Sequence, residues 1–220
     1  MSAATATAPA PVAEPVLAGR CRTAIVRFLL AAVLMLAVDL GSKVLAFQHV
    51  AGEPVVIQRD AEGRMEPIPP HPRRTVVPGV LALHLTVNHG AVFGLGQGKR
   101  WIFIGFSIAA AVALPWIFAR TRREQWAVQL ALAAVLAGAL GNMYDRLVHG
   151  GVRDMLNLLP GVELPFGLTW PGGIREVYPW IFNIADVCLV IGLGVLMVAI
   201  YRADEPTADD AADGRAATGI

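Results

Sequence analysis

Phe28-Leu29-Leu30-Ala31-Ala32-Val33-Leu34-Met35-Leu36-Ala37-Val38-Asp39-Leu40-Gly41-Ser42-Lys43-Val44-Leu45-Ala46-Phe47 is the stretch on which the fold turns. Its uninterrupted apolar part, Phe28–Val38, is eleven residues long, whereas a membrane-crossing helix needs about 20. Taken alone it has the length of a signal-peptide core, with Arg20, Arg22 and Arg27 as the basic flank. Asp39 and Lys43 argue against that. Their i, i+4 spacing sets opposite charges on one helical face, where they pair. A helix that turns this pair into a bundle continues to Phe47, and the segment, about 24–47, becomes a span.

Outward from it lie three more apolar segments, at about 101–119, 124–147 and 180–201. Pro115 falls inside the first of these, which membrane helices tolerate. The chain of 220 residues is 55% hydrophobic and only 16% charged, with a mean hydropathy of +0.56. Soluble domains have about 45–50% apolar residues and about 25% charge, so the class is integral membrane protein. A net charge of +1 and the lack of a basic run interleaved with aromatics give no sign of a nucleic-acid partner. Cys21 and Cys188 make no disulfide framework. Cys21 also precedes its apolar stretch, the wrong order for a lipid-attachment box behind a signal peptide. Residues 1–23, rich in Ala, Pro and Thr, and the acidic 203–220 read as disordered cytoplasmic tails around one four-span domain, 24–202.

Basic residues orient the bundle. Arg120-Thr121-Arg122-Arg123-Glu124 is a short basic connection and belongs in the cytoplasm, which puts both termini inside. Arg73, Arg74, Lys99 and Arg100 then lie outside, on a long loop. The outer loops are 48–100 and 148–179. In the first, Val80–Val87 suits a strand, with His84 and Thr86 alternating with apolar neighbours. In the second, Asp154 follows two glycines, and Phe166, Trp170, Tyr178 and Trp180 suit a membrane surface.

This topology gathers the anomalous polar residues near the outer face: Asp39, Lys43, Asn142, Asp145, Arg146 and Asp186. Counted from Trp180, Asp186 lies six residues into the last span, about 9 Å deep at a rise of 1.5 Å per residue. A charge at mid-bilayer costs about 2.5–3.5 kcal/mol on insertion scales, so such residues face a protein interior and mark function by default. Each also has an ordinary reading. Asp39 with Lys43, and Asp145 with Arg146, read as ion pairs that support helices. Asn142 shares the face of Asp145 and Arg146 and has both donors and an acceptor for a peptide backbone. Asn183 and Asp186, at i, i+3, are an even choice between packing and function. Asp154, taken singly, reads as an exposed loop carboxylate.

Other chemistries find little support. Gly94-Leu95-Gly96-Gln97-Gly98 lacks the spacing and context of a dinucleotide fingerprint. His49, His71, His84, His89 and His149 lack metal-ligand spacing, and Ser42 and Ser107 lack a nucleophile motif. No metal and no cofactor is expected.

Five blocks in order carry a family resemblance: Asp39-Leu40-Gly41-Ser42-Lys43, Asn88-His89-Gly90-Ala91-Val92-Phe93-Gly94, Gly141-Asn142-Met143-Tyr144-Asp145-Arg146, Gly151-Val152-Arg153-Asp154 and Phe182-Asn183-Ile184-Ala185-Asp186. On these, from about residue 30 to 200, the chain resembles the lipoprotein signal peptidases (signal peptidase II), bacterial intramembrane aspartic proteases. The resemblance implies an all-α integral membrane fold: a four-helix transmembrane bundle with a small extracytoplasmic β-sheet cradle and a surface loop or helix over the site. It implies Asp154 and Asp186 as catalytic dyad. Asn88, Asn142, Arg146 and Asn183 match substrate-binding positions, and Asp39, Lys43 and Asp145 match supporting ones. The implied substrate is a prolipoprotein cut just before a diacylglyceryl-modified cysteine, by a monomer among membrane lipids, near the outer face of the inner membrane. Arg153 departs from the family, standing where an apolar residue is usual before the first aspartate. His89 stands where Thr is usual and Val92 where Ala is, and both outer loops look longer than typical. The competing class is a small transporter or channel, which should line its full depth with polar groups, often in internal repeats. A structural subunit, whose charges only pair helices, is the third.

Overall fold

The computed structural model describes residues 16–58, 66–90 and 99–203. Four helices carry it: α1 (Arg22–His49), α2 (Arg100–Arg120), α3 (Trp126–Val148) and α4 (Ile184–Ala203). All four are long and apolar enough to cross a membrane. The expected four-helix bundle with a small sheet is present. The helix α3 is its centre and touches the other three. Its Ala-rich sequence explains this, because small residues let helix backbones approach closely. A Cβ on Gly138 would sit 2.5 Å from the Ala185 carbonyl oxygen and 2.7 Å from Leu189 Cγ. From the facing helix, a Cβ on Gly192 would lie 2.7 Å from Val135 Cγ2. By contrast, α1, α2 and α4 expose apolar side chains such as Leu34, Phe106 and Met197, which suit a lipid environment.

At one end of the bundle stands an antiparallel sheet of four strands in the order β1-β2-β3-β4: β1 (Arg74–Val77), β2 (Leu81–Asn88), β3 (Val152–Leu158) and β4 (Ile181–Phe182). The strand expected at Val80–Val87 is β2. Its pairing with β3 sets Thr86 opposite Asp154 and Asn88 opposite Val152. Leu85 and Met155 from these strands pack on Ala46, Phe47 and Val50 at the end of α1, which joins sheet to bundle.

Three expectations change. Asp154 is not on a loop but on the interior strand β3, 1% exposed. The two glycines before it make that possible. Gly150 has a φ of 83°, a value that favours glycine, and a Cβ on Gly151 would lie 2.6 Å from Val87 Cγ1. Second, the last helix starts at Ile184 rather than near Trp180, because Ile181 and Phe182 first pair with Asn157 and Leu156 of β3. Asp186 is thus in the first turn of α4. Third, the N-terminal tail is not free as far as residue 23. Ala18 N donates to Thr121 O at 2.8 Å and Arg123 N to Val16 O at 3.0 Å, so the tail occupies backbone groups that the end of α2 leaves open. The tail segments 1–15 and 204–220, and the glycine run 94–98, lie outside the described residues.

Between β3 and β4 the chain forms a hairpin arm. Leu164 N donates to Arg175 O at 2.7 Å and Val177 N to Val162 O at 2.8 Å. Its tip presents Phe166, 98% exposed. Trp170 packs edge-on to Trp180, with 4.9 Å between ring centroids.

Candidate active site

Phe182-Asn183-Ile184-Ala185-Asp186 is a helix start built from side chains. A helix leaves its first N–H groups without partners, and here Asn183 and Asp186 satisfy two of them reciprocally. Asp186 N donates to Asn183 Oδ1 at 3.0 Å, and Asn183 N donates to Asp186 Oδ2 at 3.2 Å. The pattern is that of a capping box. Ala185 N donates to Asp39 Oδ1 at 2.8 Å, so α1 also holds the end of α4.

From this end the contacts spread to the other polar residues. Asn142 Nδ2 donates to Asp186 Oδ1 at 2.9 Å. Asn183 Nδ2 donates to Asn142 Oδ1 at 3.2 Å and to Asp154 Oδ1 at 2.6 Å. Asn88 also hydrogen-bonds the Asp154 carboxylate. Asp154 and Asp186 therefore meet on one asparagine, although they come from a strand and a helix. Burial, and then the charge of Asp186, pushes the Asp154 carboxyl up to about 7, because an ionised group loses solvation inside the protein and is repelled by a like charge.

Lys43 is fully buried beside them. It bonds Asp39 Oδ2 at 2.8 Å, the pairing its spacing predicts, and reaches Asn142 Oδ1 at 3.2 Å and Asp145 Oδ2 at 3.3 Å. The expected Asp145–Arg146 pair is not formed. Asp145 is instead held by Arg153, whose Nη2 and Nε lie 2.8 Å and 3.1 Å from Oδ1 and whose backbone N lies 3.0 Å from Oδ2. Adjacent helix positions point apart, and β3 brings Arg153 to the opposite side. Arg146 turns to the Gly90 carbonyl at 2.8 Å and lies over the Phe103 ring at 5.0 Å.

All nine candidate residues thus belong to one neighbourhood. Sequence reasoning missed Arg153 as a clamp, and Gly90 and Phe103 as partners of Arg146. The only signal for Arg153 was a charge beside Asp154 where an apolar residue is usual. A cavity of about 260 Å³ opens here, lined among others by Asn88, Phe103, Asn142, Arg146, Asp186 and Leu189. It has apolar walls from α2 and α4 and amide and guanidinium groups at one end, suited to an extended peptide with apolar side chains. Among the described residues no group of three or more His, Cys, Asp or Glu is arranged to hold a metal ion.

The family described as Signal peptidase (SPase) II matches residues 31–202. The lipoprotein signal peptidase of Klebsiella pneumoniae (strain 342) is 31% identical over 196 residues, 87% of this chain and 97% of that protein. That of Desulfitobacterium hafniense (strain DSM 10664 / DCB-2) is 33% identical over 129 residues, 59% of this chain and 74% of that protein. A bacterial membrane enzyme solved at 2.3 Å by the in meso method shares the architecture, with a TM-score of 0.58 and 26% identity over 81% of this chain and 89% of its own.

Proposed function

The chain belongs to the signal peptidase II family, and from that premise we propose that Asp154 and Asp186 are the catalytic dyad of its peptidase activity. The protein is an aspartic peptidase of the bacterial inner membrane that removes signal peptides from lipoproteins. The observation that carries the dyad is the double engagement of Asn183, which bonds the Asp154 carboxylate through its side chain and the Asp186 carboxylate through its backbone. Two carboxylates held so close share a proton and titrate as a unit.

In the proposed reaction the ionised carboxylate takes a proton from a water molecule, and the oxygen of that water attacks the scissile carbonyl. The protonated carboxyl group donates to the carbonyl oxygen, and the dyad then returns a proton to the leaving amine. Arg146, Asn88 and Asn142 border the cavity and hold the extended substrate backbone. The bond cut is the one before a diacylglyceryl cysteine, whose acyl chains stay in the surrounding lipid. The enzyme works as a monomer, with the sheet and cavity at the outer face and both termini in the cytoplasm. A transporter reading is not favoured, because the buried charges cluster towards one end of the bundle rather than lining a path.

Purified Asp154→Asn and Asp186→Asn proteins, given a diacylated prolipoprotein and followed by gel shift, should insert and fold yet leave the substrate uncut, with rates at least about 100-fold lower. Processing at the normal rate by either variant would remove that residue from the dyad.

A further inference from the structure

Lys43 is 0% exposed and enters none of the steps above. Among the described residues it contacts Asp39 Oδ2, Asn142 Oδ1 and Asp145 Oδ2. An ammonium group has three donors and no acceptor, so the atom of Asn142 that faces it must be the oxygen. That turns the Asn142 amide nitrogen the other way, onto Asp186 Oδ1. The same Asn142 oxygen accepts from Asn183 Nδ2, which fixes the second amide. The nitrogen of Asn183 then also meets Asp154 Oδ1, and its oxygen accepts from Asp186 N. Two side chains that are nearly symmetric in shape are locked into one polarity by a single cation.

The consequence is unequal for the two aspartates. Asp186 receives a donor on each oxygen, Asn142 Nδ2 on one and Asn183 N on the other. Asp154 receives Asn183 on Oδ1 and is also bonded by Asn88, yet its Oδ2 is buried with no hydrogen-bond partner among the described residues. A carboxylate oxygen without a donor is where a proton is best carried, since a protonated carboxyl gains a donor of its own. We propose that Lys43 is a positioning residue which, through Asn142 and Asn183, makes Asp186 the proton acceptor and Asp154 Oδ2 the proton carrier.

The proposal rests on the dyad reading and deepens it. Water gives one proton to Asp186 as its oxygen bonds to the carbonyl carbon, and the Asp154 proton moves to the carbonyl oxygen. As the C–N bond breaks, the proton on Asp186 goes to the amine and a hydroxyl proton of the intermediate returns to Asp154, so both groups end as they began. The charged and titratable groups around the pair are Lys43 and Asp39 from α1, Asp145 and Arg146 from α3, Arg153 beside Asp154 on β3, and Tyr178 from the segment before β4.

The test is the double variant Asp39→Asn/Lys43→Met in the full-length protein. It removes the buried ion pair as a unit, keeps an acceptor for Ala185 N, and leaves Asp145 with Arg153. We expect kcat to fall at least about tenfold, with KM within about twofold of wild type. The limb of the pH–rate profile set by Asp154 should move to higher pH, because the lysine charge favours its ionised form. A folded double variant with normal kcat and an unmoved profile would overturn the proposal; a purely supporting lysine gives that result with a lower melting temperature. Should the double variant not fold, Asn142→Asp keeps an oxygen for Lys43 and Asn183 but has no N–H for Asp186. The same loss in kcat is expected, and normal kcat overturns the idea. Asp154→Asn and Asp186→Asn run in parallel separate the two readings. If either still cuts, the dyad fails; if both are dead and the Lys43 variants are normal, only the polarity relay fails.

Discussion

Asp154 is the residue whose environment opposes its own ionisation most plainly. The ordinary value for its carboxyl is 3.8, and in the folded chain it is pushed up to about 7, first by burial and then by Asp186. Between those two values the folded chain holds a proton that the unfolded chain has lost, so stability falls as the pH rises through that window. Asp154→Asn cannot ionise and does not lose this stability. Its melting temperature in detergent at pH 8 should exceed that of wild type by at least about 2 °C, and the gap should close near pH 4. A variant that melts below wild type at pH 8 would show that the carboxylate is better accommodated than its burial indicates. The residue was visible in the sequence only as a member of a motif. Its local context, two glycines and an arginine, reads as a loop until β2 and β4 are placed on either side of it.

At the scale of elements, the site depends on where α4 begins and how closely it lies on α3. Apolar composition sets the length of that segment but not its start, because Trp180, Ile181 and Phe182 are as apolar as the helix that follows. Hydrogen bonding to β3 and the Asn183–Asp186 cap decide the boundary, and they move Asp186 from six residues into the span to the first turn of the helix. Gly138 holds α3 against this turn, since its missing Cβ leaves room for the Ala185 carbonyl. Gly138→Ala should therefore destabilise the protein by about 1–3 kcal/mol and lower kcat by displacing Asp186 from Asn142. Gly194→Ala, where a Cβ meets nothing within 4 Å, serves as the comparison. Thermal unfolding and cleavage rates equal for the two variants would show that the helix contact does not position the site.

For the whole molecule, the distribution of arginine predicts that the α2–α3 turn is cytoplasmic and the hairpin arm is outside. In a background of Cys21→Ser and Cys188→Ser, Phe166→Cys should react with a membrane-impermeant thiol reagent in intact spheroplasts. Arg122→Cys should react only after permeabilisation. The reverse pattern would invert the topology and put the cavity on the cytoplasmic side. The arm itself is legible in the sequence only as a loop with aromatics suited to a membrane surface. Its backbone pairs through Leu164–Arg175 and Val162–Val177, contacts that no local pattern announced.

What the sequence by itself determined is the class, the four spans and the identity of the polar residues. Those follow from the cost of burying charge and backbone in lipid, which acts on composition and can be read one segment at a time. The i, i+4 pair of Asp39 and Lys43 was legible for the same reason, since helix geometry alone brings it together. Only the tertiary structure decided that Asp145 belongs to Arg153 rather than to Arg146, that Asp154 is a buried member of a sheet rather than a loop residue, and that one asparagine joins it to Asp186. Those contacts run between α3, α4 and the strands of the sheet. Hydrogen-bond partners across elements are set by packing and register, which no single stretch of the chain contains.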